Sequence, residues 1–180
     1  MPKIIENLRE QLLREARRQI DTVGYGKTTV RSIAAGCGVG VGTVYNYFTS
    51  KDMLIAAFVL EDWNKSISEM RKKSSPDAKT QIFLIYDTLS RFIGEHKALF
   101  CDKDATKAFA LSFADKHEIL RLQIAEQIMP LCERSDVDNK EILGEVVAEI
   151  IITFTASGAA CEDIYQAINK LLFTKQNKNI

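Results

Sequence analysis

The chain has 180 residues, 46% of them hydrophobic and 27% charged, and is long enough to bury a core without disulfides or a structural metal. Its 24 lysines and arginines balance its 24 aspartates and glutamates, which argues against a wholly basic nucleic-acid coat protein and against an acidic solvating tail. The four cysteines form no Cys-x-x-Cys pair and no apolar run approaches the ~20 residues of a membrane span, so we expect reduced thiols, no metal or other cofactor, no membrane and a cytoplasmic location.

The first element is an amphipathic helix, because apolar residues recur there every three or four positions. These residues are Ile5, Leu8, Leu12, Ala16, Ile20 and Val23. Gly24 and Gly26 are expected to end the helix. Residues 1–53 carry eight basic against five acidic side chains, so the rest of the chain is net negative and the N-terminal third is better suited to meet a polyanion.

Residues 28–51 have the pattern of a helix, a tight turn and a second short helix. Thr29 is a good N-cap for the first helix, and Gly38 suits the positive φ of the turn. Val44 and Phe48 are predicted to point inward from the second helix, and Ser50 is predicted to cap the helix that follows.

The outward side of this motif has the side chains that a duplex-reading helix uses. Candidates for base contact are Val41, Gly42, Tyr45 and Asn46, with Arg31 as a guanine contact. Candidates for phosphate contact are Thr29, Thr43, Tyr47 and Lys51. Hydrophobic packing is the alternative for the two tyrosines, and the glycines at 36, 38, 40 and 42 match no phosphate-loop spacing.

Over roughly residues 5 to 60 the sequence resembles the TetR family of transcriptional repressors. The resemblance is carried by Thr29-Val30-Arg31-Ser32-Ile33-Ala34, Gly38-Val39, the run from Gly42 to Phe48, Ser50-Lys51-Asp52 and Leu54. It implies an all-α fold, with a three-helix helix-turn-helix DNA-binding domain at residues 1–52. A linking helix would join this domain to a helical effector-binding and dimerisation domain at residues 53–180. Gly40 departs from the family pattern, which usually has a Ser or Thr N-cap there.

Helical periodicity continues through most of the remaining chain. We expect a helix from about Lys51 to Lys73, ended by Ser74-Ser75-Pro76, and another marked by Ile82, Ile85, Leu89 and Phe92. Two further helices are expected, one over Ala105–Phe113 and one over Leu120–Ile128 with a kink or end near Pro130.

The last two helices are predicted from residue 142 onward. Residues 142–154 are apolar on most of the helix circumference, and the amphipathic segment with Ile164, Ile168, Leu171 and Leu172 covers them only in part. The leftover face, on which we place Ile151, needs a partner. The family resemblance implies that this partner is a second copy, packed through the last two helices.

The aromatic residues of the middle and last helices are candidates for an effector cavity. The resemblance implies such a cavity, and the candidates are Trp63, Phe83, Tyr86, Phe109, Phe113 and Phe154, although any one of them can be ordinary core. His96 and His117 lack a metal-ligand spacing and read as ordinary histidines. Cys101, Cys132 and Cys161 read as inert thiols, with oxidant sensing as the alternative.

The sequence therefore predicts a non-enzymatic DNA-binding regulator. It would be a repressor that binds a palindromic operator as a homodimer and is released by a small lipophilic or aromatic effector. The alternatives are a helical ligand carrier or small enzyme that kept the fold and lost operator binding, and a purely structural interaction module.

Overall fold

The computed structural model describes residues 7–173, apart from the side chains of residues 108–116. The described residues form helices and no strands. The helices are α1 Leu8–Val23, α2 Val30–Gly36, α3 Val41–Tyr45, α4 Lys51–Lys72, α5 Ala78–Glu95, α6 Lys97–Phe100, α7 Lys103–Cys132, α8 Lys140–Ala156 and α9 Cys161–Phe173. The all-α prediction is confirmed. Among the described residues, no helix combines the length and the apolar content that a membrane crossing needs.

The chain separates into two compact units, and the division falls within α4, before the last residue of α5 and within α7. The first unit holds the residues up to Asn64 together with Glu95–Ser112, and the second holds Lys65–Gly94 together with the residues from Phe113 on. The predicted boundary after residue 52 concerns function rather than compactness and stays a prediction.

The first unit is built on the buried face of α1. Leu12 and Ala16 are fully buried there, as are Ile33 of α2, Val44 of α3 and Leu54 of α4. α1 packs on α2 and on α6, and α2 packs on α3. The three or four residue spacing of apolar side chains in α1 thus produces the platform on which α2 and α3 lie. Ile5, which the sequence pattern also placed on this face, lies outside the described residues.

The second unit buries apolar side chains from α5, α7, α8 and α9. Fully buried members are Ile82, Ile85, Ile124, Ile128, Val147, Ile151 and Ile168. α8 packs against α7 at Gly144, where an added Cβ would make ordinary van der Waals contacts, 3.5 Å from Met129 Cε and 3.7 Å from the Ala125 carbonyl oxygen.

Two expectations about the second half of the chain are wrong. The helices expected over Ala105–Phe113 and Leu120–Ile128 are one continuous helix, α7, since no glycine or proline separates them. Pro130 lies inside α7, which ends two residues later at Cys132.

Ile151 is fully buried within the protomer, so it does not lie on an exposed stripe. The large apolar residues that α8 does expose are Ile142, Val146 and Phe154.

Candidate nucleic-acid interface

The N-terminus of α2 is fixed by a reciprocal capping box. The Ser32 amide donates to Thr29 Oγ1 at 3.0 Å, and the Thr29 amide donates to Ser32 Oγ at 3.0 Å. Two amides that the helix itself leaves unpaired are thereby satisfied. These hydrogen bonds confirm the predicted N-cap role of Thr29. Thr29 is also exposed at the surface.

The turn and the short α3 have the geometry that the sequence predicts. Gly38 has φ +65°, a left-handed conformation that glycine adopts without a Cβ clash. α3 begins after Gly40, which as N-cap provides no side-chain hydrogen bond. Val44 is fully buried and Phe48 nearly so, which confirms the predicted inward pair. Ser50 Oγ accepts from the Met53 amide and caps α4 as predicted.

The opposite side of α3 is open. The exposed fractions of Tyr45 and Tyr47 are 51% and 48%, and Gly42 and Asn46 are exposed as well. The two tyrosines do not pack into the protomer core, which was the alternative interpretation of the sequence. Thr43 is half-buried.

Several of the predicted contact residues surround one groove. This groove has a volume of about 480 Å³ and is lined by Gly26, Thr28, Thr29, Val30, Arg31, Val41, Tyr45 and Lys51. α2 and α3 therefore present a concave surface of mixed polar and apolar character, to which Arg31 contributes from one helix and Tyr45 from the other.

Lys51 is held at the edge of the groove by Tyr25. Its ammonium donates to the Tyr25 carbonyl oxygen at 3.0 Å and lies 3.6 Å from the centroid of the Tyr25 ring, whose hydroxyl donates to Asp52 Oδ1 at 2.6 Å. Burial lowers the pKa of Lys51, and burial with the Asp52 hydrogen bond raises the pKa of Tyr25. An ammonium with three donors still has capacity for a phosphate oxygen.

The distribution of ion pairs identifies a cation that the sequence analysis missed. All four arginines of α1 pair with carboxylates: Arg9 with Glu61, Arg14 with Glu10, Arg17 with Asp62 and Arg18 with Glu15. Lys27 and Arg31, by contrast, are exposed and have no ion pair or hydrogen bond to the described part of the chain. Lys27 precedes the predicted phosphate-contacting cap of α2 by two residues, and this position next to the cap is the signal that could have identified it.

A hydrogen-bond network ties α1 to the start of α2. Gln19 is buried, its side-chain amide donates to Glu15 Oε1 at 2.7 Å, and its oxygen accepts from Ser32 Oγ at 2.6 Å. Hydrogen bonds from Arg18 and Gln19 lower the pKa of Glu15 to about 2. Gly36 lies beside this network, and a Cβ there would force the Glu15 side chain to move.

The predicted effector residues are spread over both units. Trp63 is buried in the first unit. In the second unit, Phe83 packs edge-on against Tyr165, the Tyr86 hydroxyl donates to the Ala159 carbonyl oxygen at 3.1 Å, and Phe154 is 50% exposed. The side chains of Phe109 and Phe113 lie outside the described residues. An effector cavity lined by these six residues stays a prediction.

Histidines and cysteines form no cluster in the described ranges that could hold a metal ion. His96 Nε2 lies 3.0 Å from Asp62 Oδ2, and His117 Nε2 lies 3.8 Å from Glu149 Oε2. Cys132 is buried and Cys101 exposed, and burial raises the pKa of Cys37, Cys132 and Cys161, the last to about 11.

Fold and site together define an all-helical protein with a helix-turn-helix near its N-terminus. Residues 12–58 match the family model described as "Bacterial regulatory proteins, tetR family". This match assigns the N-terminal domain, residues 12–58, to the TetR family.

Curated relatives are similar over about a third of the chain. It is 30% identical over 64 residues to the HTH-type transcriptional regulator UidR of Escherichia coli, covering 36% of this chain and 33% of that protein. It is 38% identical over 66 residues to the HTH-type transcriptional repressor Rv1474c of Mycobacterium tuberculosis, covering 34% of this chain and 35% of that protein. The chain thus matches about a third of the length of these relatives.

The whole fold has counterparts among solved structures. One is Thermus thermophilus FadR, described as a TetR-family transcriptional repressor in complex with lauroyl-CoA. The TM-score is 0.61, the identity 18%, and the alignment covers 96% of this chain and 98% of that one. At this identity the similarity shows the fold.

Proposed function

We propose that the chain is a DNA-binding transcriptional regulator, and specifically a repressor that binds a palindromic operator as a homodimer. The observation that carries the proposal is the exposed outer face of α2 and α3, where Arg31, Tyr45, Asn46 and Tyr47 stand free of the core around an open groove. The anchored inner side of α3, with Val44 fully buried, makes this face rigid enough to read base edges.

The proposed contacts divide into two classes. Arg31, Val41, Gly42, Tyr45 and Asn46 would read bases, with the Arg31 guanidinium donating to guanine acceptors in the major groove. Phosphates would be held by Thr29, Thr43, Tyr47 and Lys51, and we add Lys27 because it is exposed and unpaired. Binding chromosomal DNA would place the protein in the cytoplasm.

The proposed dimer forms through α8 and α9. Ile142, Val146 and Phe154 leave an apolar stripe exposed on α8, which a second copy would cover. Two copies would place their recognition helices in successive major grooves, about one duplex turn or roughly 34–36 Å apart. An effector that binds a conformer with another spacing better would release the operator.

The proposed effector is a small lipophilic or aromatic molecule. Lauroyl-CoA in the complex of Thermus thermophilus FadR supports a ligand with a long apolar part, since that chain shares the fold. Phe83 and Tyr86 of the second unit would contribute apolar surface, whereas Phe154 belongs to the proposed dimer stripe. In this proposal the protein catalyses no reaction, in keeping with a family of regulatory proteins.

The first experiment selects a DNA sequence from a random duplex pool with the full-length protein. Enrichment of a palindrome, followed by a mobility shift with it, supports the proposal. If no duplex is enriched and none is retarded at low salt, the ligand carrier that lost operator binding becomes the better description.

Two single variants then test the division of contacts. Arg31→Ala should reduce the binding free energy for the selected sequence by about 1–3 kcal/mol and remove the sequence preference at one base pair. Lys27→Ala should weaken binding to all sequences alike and reduce the salt dependence of log K by about one counterion. Quantitative binding to the selected duplex and to a scrambled one, at several salt concentrations, measures both. If Lys27→Ala changes the preferred sequence, its phosphate assignment is wrong.

A further inference from the structure

Asp62 connects two segments of the first unit that are far apart in sequence. It lies on α4, and its Oδ2 accepts from Arg17 Nη2 on α1 and from His96 Nε2 at 3.0 Å. Because a carboxylate only accepts, Nε2 of His96 carries a proton. His96 is 5% exposed and is the residue between α5 and α6.

Phe58 makes contacts with the same two partners one helical turn earlier on α4. Its ring stacks on the His96 ring with centroids 6.2 Å apart and planes at 20°, and the Arg17 guanidinium carbon lies 5.2 Å from its centroid. Arg17, Phe58, Asp62 and His96 therefore form a closed cycle of contacts, here termed the Asp62 cluster. The cycle joins α1, α4 and the residue that follows α5.

The cluster is connected through α1 to the DNA-facing surface. Two residues after Arg17, Gln19 accepts from Ser32, which completes the capping box of Thr29. Any movement of α1 along its axis would therefore disturb the N-terminus of α2, where Thr29 and Arg31 stand.

We propose that the Asp62 cluster holds α1, and with it the recognition surface, in the DNA-binding position, and that His96 is the positioning residue that controls it. The inference rests on the proposed function and names its regulation. α5 ends at Glu95, so a displacement at the end of α5 reaches His96 across one peptide bond. Loss of His96 from the cycle leaves Asp62 with Arg17 alone, and a half-exposed pair of this kind holds a helix weakly.

The test uses two substitutions at His96 that differ in one property. His96→Leu substitutes an apolar side chain of similar size and removes the donor, whereas His96→Gln keeps a hydrogen-bond donor for Asp62. We expect His96→Leu to weaken binding to the duplex selected by the wild-type protein about tenfold or more, and His96→Gln to restore most of it, because removing the partner of a charged group is costly. A core histidine with a packing role alone would give the opposite order, since leucine fills space better than glutamine.

Hydrogen exchange of the full-length protein supplies a second readout that needs no DNA. His96→Leu should speed amide exchange along α1 while exchange in α9 stays as in the wild type. His117→Leu is the matched control, because His117 is exposed and belongs to the second unit. Unchanged exchange along α1 in His96→Leu overturns the inference, whether or not the wild type binds DNA.

A double-mutant cycle tests whether the cluster acts as one unit. Arg17→Gln should weaken DNA binding less in the His96→Leu background than in the wild type, since the cycle is already broken there. Fully additive effects overturn the inference. If His96→Leu does not fold, Asp62→Asn replaces it in the cycle, because asparagine keeps the shape and removes the charge.

Failure of the two proposals is distinguishable. A wild-type protein that binds no duplex contradicts the proposed function, while α1 exchange still decides whether the Asp62 cluster holds α1. A wild type that binds its selected duplex, with His96→Leu binding equally well, contradicts the cluster and leaves the proposed function standing.

Discussion

At the scale of single residues, Gly42 is a glycine for which the protomer has no structural need. It lies in α3, is exposed, and a Cβ at this position would meet no atom within 4 Å. Glycine within a helix costs about 0.5–1 kcal/mol relative to alanine. In the proposed function, the glycine allows the α3 backbone to approach a DNA groove closely.

Gly42→Ala should consequently separate stability from binding. We expect the free energy of unfolding to rise by about 0.5–1 kcal/mol and the affinity for the selected duplex to fall about tenfold, since the added methyl holds the backbone away from the bases. Thermal or denaturant unfolding and a mobility-shift titration measure the two effects. Gly94→Ala is the matched control, because Gly94 is also an exposed helical glycine where an added Cβ would meet no atom within 4 Å, and it should gain stability without losing affinity.

At the scale of elements, the junction of α1 and α2 depends on an ionised Glu15. Its folded pKa of about 2 lies below the ordinary value of 4.5, so ionised Glu15 contributes stability above pH 4.5 that is lost as the pH falls toward 2. Its main partner, Arg18, is largely exposed, so we expect a contribution of only about 1 kcal/mol at neutral pH.

The comparison of wild type with Glu15→Gln isolates this contribution. Glu15→Gln should be about 1 kcal/mol less stable at pH 7, and the difference should shrink to nothing as the pH falls from about 4.5 toward 2. Denaturant unfolding at a series of pH values measures it. Glu10→Gln on the same helix is the control, since Glu10 has a loose 3.9 Å pair with Arg14 and should change stability little. A difference for Glu15→Gln that persists at pH 2 would contradict the assignment.

Local features of the helix-turn-helix could be predicted from the sequence because they depend on neighbouring residues. The cap at Thr29, the positive φ at Gly38 and the burial of Val44 follow from spacing within about fifteen positions. The Asp62 cluster could not be predicted in this way. His96 meets Asp62 only because the chain returns to the first unit 34 residues later, and no local pattern encodes that return.

Where a helix is apolar on most of its circumference, periodicity identifies the helix and leaves its orientation open. α8 was predicted correctly as an element, but the choice of its free side was wrong, because Ile151 and Val146 are equally apolar and only tertiary packing distinguishes them. A related limit applies to α7, whose apolar residues predicted two helices where the structure has one continuous helix from Lys103 to Cys132.

At the scale of the whole molecule, the corrected orientation of α8 determines which residue tests the dimer. Ile151 is unsuitable, since a charge at a fully buried position would unfold the second unit. Val146 is 45% exposed in the middle of the stripe, so Val146→Glu should leave the protomer folded and place a charge in the proposed interface. We expect it to shift the protein to monomers in analytical ultracentrifugation at micromolar concentration.

Loss of the dimer should also reduce operator affinity, because two linked DNA-binding domains bind a palindrome with an avidity about 10²–10⁴ above one domain alone. Val146→Glu should therefore weaken binding to the full palindrome at least a hundredfold and leave binding to an isolated half-site nearly unchanged. Val137→Glu is the matched control, since Val137 is 38% exposed and lies outside α8 and α9. A Val146→Glu protein that remains dimeric would place the interface elsewhere. A monomer that keeps full affinity for the palindrome would show that the two DNA-binding domains are not coupled through α8.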